Sequence, residues 1–457
     1  MSAYNTDARG TLLSFRERFK AAYAADDTDM PECILAAYVV NLMPTDPAWL
    51  LIVGSPSGGK TAALSILNEL PNVHSISTVS QGSLLSGSPR REKAPDATGG
   101  VLRELGELGV VVCKDFTSIL SMNRDNQAGV LAALREIYDG SWTRTFGTDG
   151  GRKETWQGRA TFIGAVTQMI DQRHEVMALM GERFLLLRLR TDDDLSLRMT
   201  RKALEDGPDE QEARESLSRL AKAIVGLVKI PDRCDPLPRQ VRDNLTTLAN
   251  LISQCRSAIE RDGRTREIEG VPFREEGPRL ARQLASLFRG LLAIGNTEQE
   301  AWMKVRRVGL DSMPELRRRA ILALSTYGSP ERTSTIARVC NCPPTTTKRA
   351  LEDLAYLGLL HRYNPENHEA ETWELADKTR EALEGVSFDL ADDEPPFDLQ
   401  GIIGPETSPE IGISSASIIS ANTGHDSRVS LPKGRRKALR APEDTAGREG
   451  NGLAASQ

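Results

Sequence analysis

Residues 49–61 read WLLIVGSPSGGKT, and no other stretch restricts the fold as strongly. The pattern G-x-x-x-x-G-K-[ST] is carried by Gly54, Gly59, Lys60 and Thr61. An apolar run precedes it and a helix-forming run, AALSILNEL, follows. Strand, glycine-rich turn and helix in that order predict a loop that cradles phosphates. Glycines let successive backbone N–H groups turn toward phosphate oxygens. The cradle is expected to run from Gly54 through Ser55, Pro56, Ser57, Gly58 and Gly59 to Lys60, Thr61 and Ala62. Lys60 would neutralise β- and γ-phosphate charge, and Thr61 would offer its hydroxyl to Mg²⁺. The helix that follows would add its positive dipole end. ATP and Mg²⁺ are thus the expected cofactors.

The surroundings agree with such a loop. Between 49 and 190, short apolar runs alternate with helical stretches. The strand candidates are Trp49–Gly54, Val73–Val79, Val110–Asp115, Ala160–Thr167 and Phe184–Arg190. This rhythm predicts an α/β core with a mostly parallel sheet covered by helices on both faces. The run Val110–Asp115 ends in a carboxylate, so Asp115 is the candidate second metal ligand. Residues 1–45 read as helices, with Leu12, Leu13, Phe15, Phe19 and Tyr23 on one face and a second helix over 32–43. A helical region covers 196–312, and a further unit covers 313–376. The tail is expected from 377 to 457. From 386 its Gly, Ser, Pro and Asp content and lack of periodicity predict disorder.

The core, 46–195, resembles an AAA+ ATPase. VLAALREIYDGSWTRTFGTDGG (130–151) is similar to the helix and hairpin that precede sensor 1 in bacterial enhancer-binding ATPases, and ATFIGAVTQ (160–168) to their sensor-1 strand. The resemblance implies Thr167 as the sensor, where those families usually carry Asn. GERFLLLRL (181–189) resembles the arginine-finger segment of minichromosome-maintenance helicases, which implies Arg183 as a finger completing a neighbour's site in an oligomer or ring. GPRLARQLASLFRGLLAIGN (277–296) resembles the helical lid of minichromosome-maintenance and MoxR-type ATPases, which implies Arg279, or alternatively Arg282, as sensor 2. These families place a water-polarising Glu after the metal-linked Asp, but here that position is Phe116. Glu136 and Asp139 are the substitute candidates; otherwise hydrolysis is slow and the chain works as an ATP-binding switch.

Residues 317–375 read as a winged helix-turn-helix. RRRAILALSTYG and TSTIARVCNC supply two helices, PPTTTKRALEDLAYLGLL a recognition helix and HRYNPENHEAETWEL a hairpin wing. Threonines suit a helix start, where their hydroxyls cap free N–H groups. The whole chain carries a formal charge of −6, so nucleic-acid contact must come from a local patch. Residues 317–363 hold eight basic and three acidic side chains, a local +5. The DNA-contact candidates are Thr345, Thr346, Thr347, Lys348, Arg349 and Arg362. Cys340 and Cys342, the one close cysteine pair, lack neighbouring ligands and are expected to pack.

Three functions follow. The first is an ATP-dependent machine that assembles on or remodels DNA, as in replication initiation. The second is an ATP-responsive transcription regulator. The third is a remodelling ATPase whose winged unit docks a protein. Scattered cysteines, no signal-type N-terminus and no apolar run of the roughly 20 residues a membrane helix needs predict a cytoplasmic chain without membrane contact.

Overall fold

The computed structural model describes residues 6–77, 79–86, 98–147, 151–174, 183–190, 193–205, 209–270, 275–363 and 370–386. The chain divides into two units, Met1–Ser408 and Pro409–Gln457, and the second lies outside the described residues. The first opens with α1 (Thr6–Tyr23) and α2 (Asp29–Leu42), then β1 (Trp49–Val53) and α3 (Lys60–Leu64). There follow β2 (Val73–Ile76), β3 (Leu108–Cys113), α4 (Arg124–Tyr138), the hairpin β4 (Ser141–Thr145) and β5 (Lys153–Gln157), β6 (Arg159–Val166) and β7 (Phe184–Arg188). Next come α5 (Asp193–Glu205), α6 (Asp209–Leu227), α7 (Arg239–Arg256), α8 (Pro278–Ala293) and α9 (Glu298–Asp311). The last described elements are α10 (Glu315–Ser325), β8 (Glu331–Arg332), α11 (Thr333–Val339), α12 (Pro344–Tyr356), β9 (Leu360–Tyr363), β10 (Thr372–Leu375) and α13 (Asp377–Gly385).

The five expected strands form one parallel sheet in the order β2-β3-β6-β1-β7. Successive side chains of a strand point to opposite faces. In β1, Leu50 and Ile52 therefore enter one core while Trp49, Leu51 and Val53 enter the other. Covering on both faces explains why WLLIV is apolar without alternation. The second core holds the inner face of α4 and an aromatic cluster of Trp49, Phe116, Phe162 and Phe184. The first core extends from the sheet through α2, α8 and α9 to Ile336, Leu351 and Trp373. One apolar core thus includes residues on both sides of positions 45, 195 and 312.

Two sequence expectations need correction. Leu13 was placed on the apolar face of α1, but it is exposed while Leu12, Phe15 and Phe19 are buried. The tail is expected from 377, but the residues that follow that position are helical. Residues 377–385 form α13, whose Leu383 is buried, and the Trp302 indole N–H donates to the Val386 carbonyl at 3.3 Å. Residues 387–457 lie outside the described residues.

α8 packs against α2 at Gly290. A Cβ there would lie 2.6 Å from the Ala36 carbonyl oxygen and 2.7 Å from Val40 Cγ2. Gly290→Val is expected to destabilise the chain by about 1–3 kcal/mol through overpacking. Urea unfolding measures this, and an unshifted midpoint would mean the two helices are not in this close contact.

Candidate functional site

The parallel ladder fixes where each strand ends. The Gly54 N–H donates to Val166 O at 3.1 Å, and the Leu189 N–H donates to Val53 O at 2.8 Å. The chain then leaves β1 into the glycine-rich loop. Ser57 and Gly59 adopt left-handed backbone, at φ 63° and 80°, which reverses the chain into α3. Leu189 seals the loop from β7: a Cβ on Gly54 would meet its Cδ1 at 2.9 Å. Met199 of α5 covers the other side, 3.6 Å from a Cβ built on Gly59. A side chain at Gly54 would crowd Leu189, and one at Gly59 would strain its left-handed backbone. Ser55, Pro56, Ser57 and Thr61 are exposed, Gly58, Gly59 and Lys60 are half-buried, and Ala62 is buried beneath the loop.

Lys60 folds back over the loop, donating to the carbonyls of Gly54, at 2.8 Å, and Ser55. Burial depresses its pKa, and the carboxylate of Asp115 opposes that depression. Asp115 is therefore within electrostatic reach of the lysine. It is exposed just past β3, and its Oδ1 accepts the Thr117 N–H at 3.0 Å. The Thr117 hydroxyl accepts the Thr167 N–H at 3.1 Å and donates to the Thr167 hydroxyl at 3.4 Å. The Phe116 N–H donates to Ala165 O at 2.8 Å. Thus the ends of β1, β3 and β6 bring Lys60, Thr61, Asp115 and Thr167 to one edge. Thr117 was missed by sequence reasoning. Its signal was local, a hydroxyl two residues beyond a strand-ending Asp, but its partner lies 50 residues away.

These residues fit a nucleotide phosphate with Mg²⁺. The loop supplies amides without obstructing Cβ atoms, Lys60 supplies charge, and Thr61 and Asp115 supply two oxygens. Mg²⁺ commonly takes one or two protein oxygens, with phosphate and water completing its shell. Among the described residues, no cluster of three His, Cys, Asp or Glu side chains suits a metal.

Other expected site residues lie elsewhere. Phe184 pairs with Trp49, the first residue of β1, whereas the loop follows Val53, the last. Arg183 precedes Phe184 and is therefore at the far end of the strand, about 17 Å from the level of Val53 at a strand's rise per residue. It is buried, paired with Asp139 at 3.0 Å, and stacked over Tyr138. Burial lowers its pKa, the nearby Arg279 pushes the same way, and Asp139 opposes both. The Gln283 side chain donates to the Arg183 carbonyl, and Arg282 pairs with Asp46 at 2.6 Å, so the start of α8 is at this end too. Glu136 is exposed near the end of α4, whose Tyr138 packs on Trp49 and donates to Pro47 O. Glu136, Asp139, Arg183, Arg279 and Arg282 thus stand at the opposite end of the sheet from Lys60 in the same chain. This corrects the expected contact of Arg279 with the phosphates and of Glu136 with the attacking water. The cause is topological: their elements enter the sheet layer at its amino edge. Phe116, at the position of the usual Glu, is fully buried in the aromatic cluster and points away from the loop.

A second candidate site lies on the segment after 314. Helices α10, α11 and α12 pack on a three-stranded antiparallel sheet in the order β8-β10-β9. Residues 364–369, the expected wing tip, lie outside the described residues. Thr345, Thr346 and Arg349 are exposed at the start of α12. Thr347 is not available to a ligand: it is fully buried, and its hydroxyl donates to Pro343 O at 3.1 Å. That corrects its expected DNA contact, because only one side of a helix start can face outward. Lys348 and Arg362 share Glu371, at 3.1 and 2.6 Å. Cys340 is buried, and Cys342 packs against the same core. Among the described residues, no helix is long and apolar enough to cross a membrane.

Comparison with models of known protein families yields no match, and neither does comparison with curated proteins.

The electrostatic coupling of Lys60 to Asp115 is testable without a ligand. Removing the carboxylate with Asp115→Asn is expected to lower the Lys60 pKa further, since the group favouring its charged form is gone. Side-chain NMR titration of Lys60 reads this directly. An unchanged or raised value would separate the two residues.

Proposed function

We propose that this chain binds ATP with Mg²⁺ at the loop Gly54–Ala62 and binds DNA through the unit built on α12. The single observation that carries the first half is convergence. The phosphate-binding pattern, the strand-ending Asp115 and the strand-ending Thr167 come from three separate strands yet meet at one sheet edge. The crevice beyond the carboxyl ends of parallel strands is where open α/β sheets bind ligands. This supports the AAA+-like reading of the core.

In that reading the amides of Gly58 to Thr61 hold the phosphates. Lys60 leaves the Gly54 and Ser55 carbonyls to meet phosphate oxygens. Thr61 and Asp115 would hold Mg²⁺, which would supply neutralising charge to the phosphates. Thr117 fixes Thr167 so that its hydroxyl faces the same space, and Met199 and Leu189 limit water. With Phe116 in the core and Glu136 at the other end, this chain contributes no carboxylate from the expected positions to activate water. Hydrolysis is accordingly slow, and nucleotide occupancy is the principal signal. A finger role for Arg183 in a ring would require it to leave Asp139, so the buried pair lends that role no support.

The DNA half rests on three helices, a small antiparallel sheet, and exposed Thr345, Thr346 and Arg349 at a helix start. A helix presented in this way can lay its first turns in a major groove. A route for coupling also exists. Arg188, beside the Leu189 that seals the loop, pairs with Asp171 at 2.7 Å and with Glu315 at the start of α10 at 3.2 Å. The biological class proposed is ATP-controlled assembly on DNA, as in replication initiation.

Lys60→Ala is expected to weaken binding of ATP·Mg²⁺ at least 100-fold in calorimetric titration, the loss of roughly 3 kcal/mol for a desolvated charge-assisted contact. Unchanged affinity would remove the nucleotide reading. Lys348→Ala with Arg349→Ala is expected to weaken duplex DNA binding and flatten its dependence on salt. Unaltered binding would move the DNA contact elsewhere. Binding restricted to one operator would favour a transcription regulator, and no DNA affinity at low salt would favour a protein-docking unit.

A further inference from the structure

A groove of ≈ 660 Å³ runs along α12, and its far wall comes from residues nearly 90 positions earlier in the chain. That wall is a tight turn between α7 and α8. Arg261 and Ile268 form an isolated antiparallel bridge. The Asp262 carboxylate accepts the N–H groups of Arg264, at 2.8 Å, and Thr265, while Asp262 N–H donates to Glu267 O at 2.9 Å. The turn is therefore a built structure with its own hydrogen bonds. Arg261 fastens it to α12, donating to Asp353 Oδ1 at 3.0 Å and to the Arg349 carbonyl at 3.1 Å. Its charge is consumed by Asp353 and Glu352. Arg261 is thus a positioning residue.

The charges left over line the groove from both sides, two arginines against the single carboxylate of Glu267. Arg266 stands on the turn and Arg349 on the helix, both exposed. Among the described residues, neither side chain has a carboxylate partner. Lys348 and Arg362 line the same groove but divide one carboxylate, Glu371, between them. Tyr356 stands at the edge with 45% of its surface exposed. Two walls carrying unmatched arginines, with an aromatic face beside them, suit a chain of phosphates bearing flat bases.

We infer that the turn Arg261–Ile268 is a second DNA contact, and that one sugar–phosphate strand lies between Arg266 and Arg349. The inference rests on the DNA reading of α12 and adds to it a wall from outside that unit. The strand could belong to a duplex or be a free single strand, since both present the same phosphodiester.

Fluorescence-anisotropy titration of the full chain with a duplex and with a single-stranded oligonucleotide, over a range of salt, tests this. Arg266→Ala is expected to weaken binding about three- to tenfold and to lower the slope of log affinity against log salt by about 0.7–0.9, one phosphate contact. Arg266→Lys is expected to keep the slope. The arm in which the slope falls identifies the strand's source. Arg266 is exposed, so matching unfolding midpoints are expected to show that the fold is kept. If Arg266→Ala binds both oligonucleotides as the parent does, while Lys348→Ala with Arg349→Ala loses binding, the second wall is wrong and the DNA reading stands. If the parent chain binds neither oligonucleotide at low salt, the DNA reading itself falls.

Discussion

Everything at the phosphate loop depends on β1 being held between two parallel neighbours. β6 on one side and β7 on the other pin Gly54 through Val166 and pin Val53 through Leu189. With both flanks hydrogen-bonded, the loop has one direction in which to leave the sheet. Its glycines and the left-handed Ser57 then turn the chain into α3 rather than out into solvent. The same ladder places β3 one strand further out, so Asp115, two residues past its end, arrives at the same edge of the sheet as Lys60. No single side chain creates the cradle; strand register does.

The sheet also separates two chemistries. At its carboxyl edge stand Lys60, Thr61, Asp115 and Thr167. At its amino edge stand Arg183, Arg279 and Arg282 with Asp46 and Asp139. The strands between them are short but rigid, and their side chains are committed to the two cores. Phe116 illustrates the constraint. It follows the metal-ligand candidate in sequence, yet it lies in the aromatic cluster with Phe162 and Phe184 because its backbone N–H is tied to Ala165 O. A carboxylate there would be buried against the rings of Phe162 and Phe184, at a cost of several kcal/mol.

Much of this was legible in the sequence. The five strands of the parallel sheet overlap the apolar runs that suggested them, although β3 begins at Leu108 and β6 at Arg159, just ahead of their runs, because the central strands are covered on both faces and are apolar along most of their length. The phosphate loop was legible because its requirements are local: flanking elements, glycines and one lysine. The far-end residues were not, because their placement depends on which sheet edge a helix reaches, and spacing does not encode that. Arg183 and Arg279 carry plausible local context, and only the pairing of Phe184 with Trp49 shows where they stand. Thr347 failed for a subtler reason. Three consecutive threonines at a helix start span most of a turn, so one of them faces the core. The Arg261 turn was invisible, since its partner Asp353 lies 92 residues away.

Backbone amide hydrogen exchange, measured with and without ATP·Mg²⁺, tests the central claim most directly. Slowed exchange is expected at the amides from Gly54 to Ala62 and at Asp115 to Thr117, with none at Arg183 or Arg279. Slowing confined to the far end of the sheet, or absent from the loop at saturating nucleotide, would contradict the account.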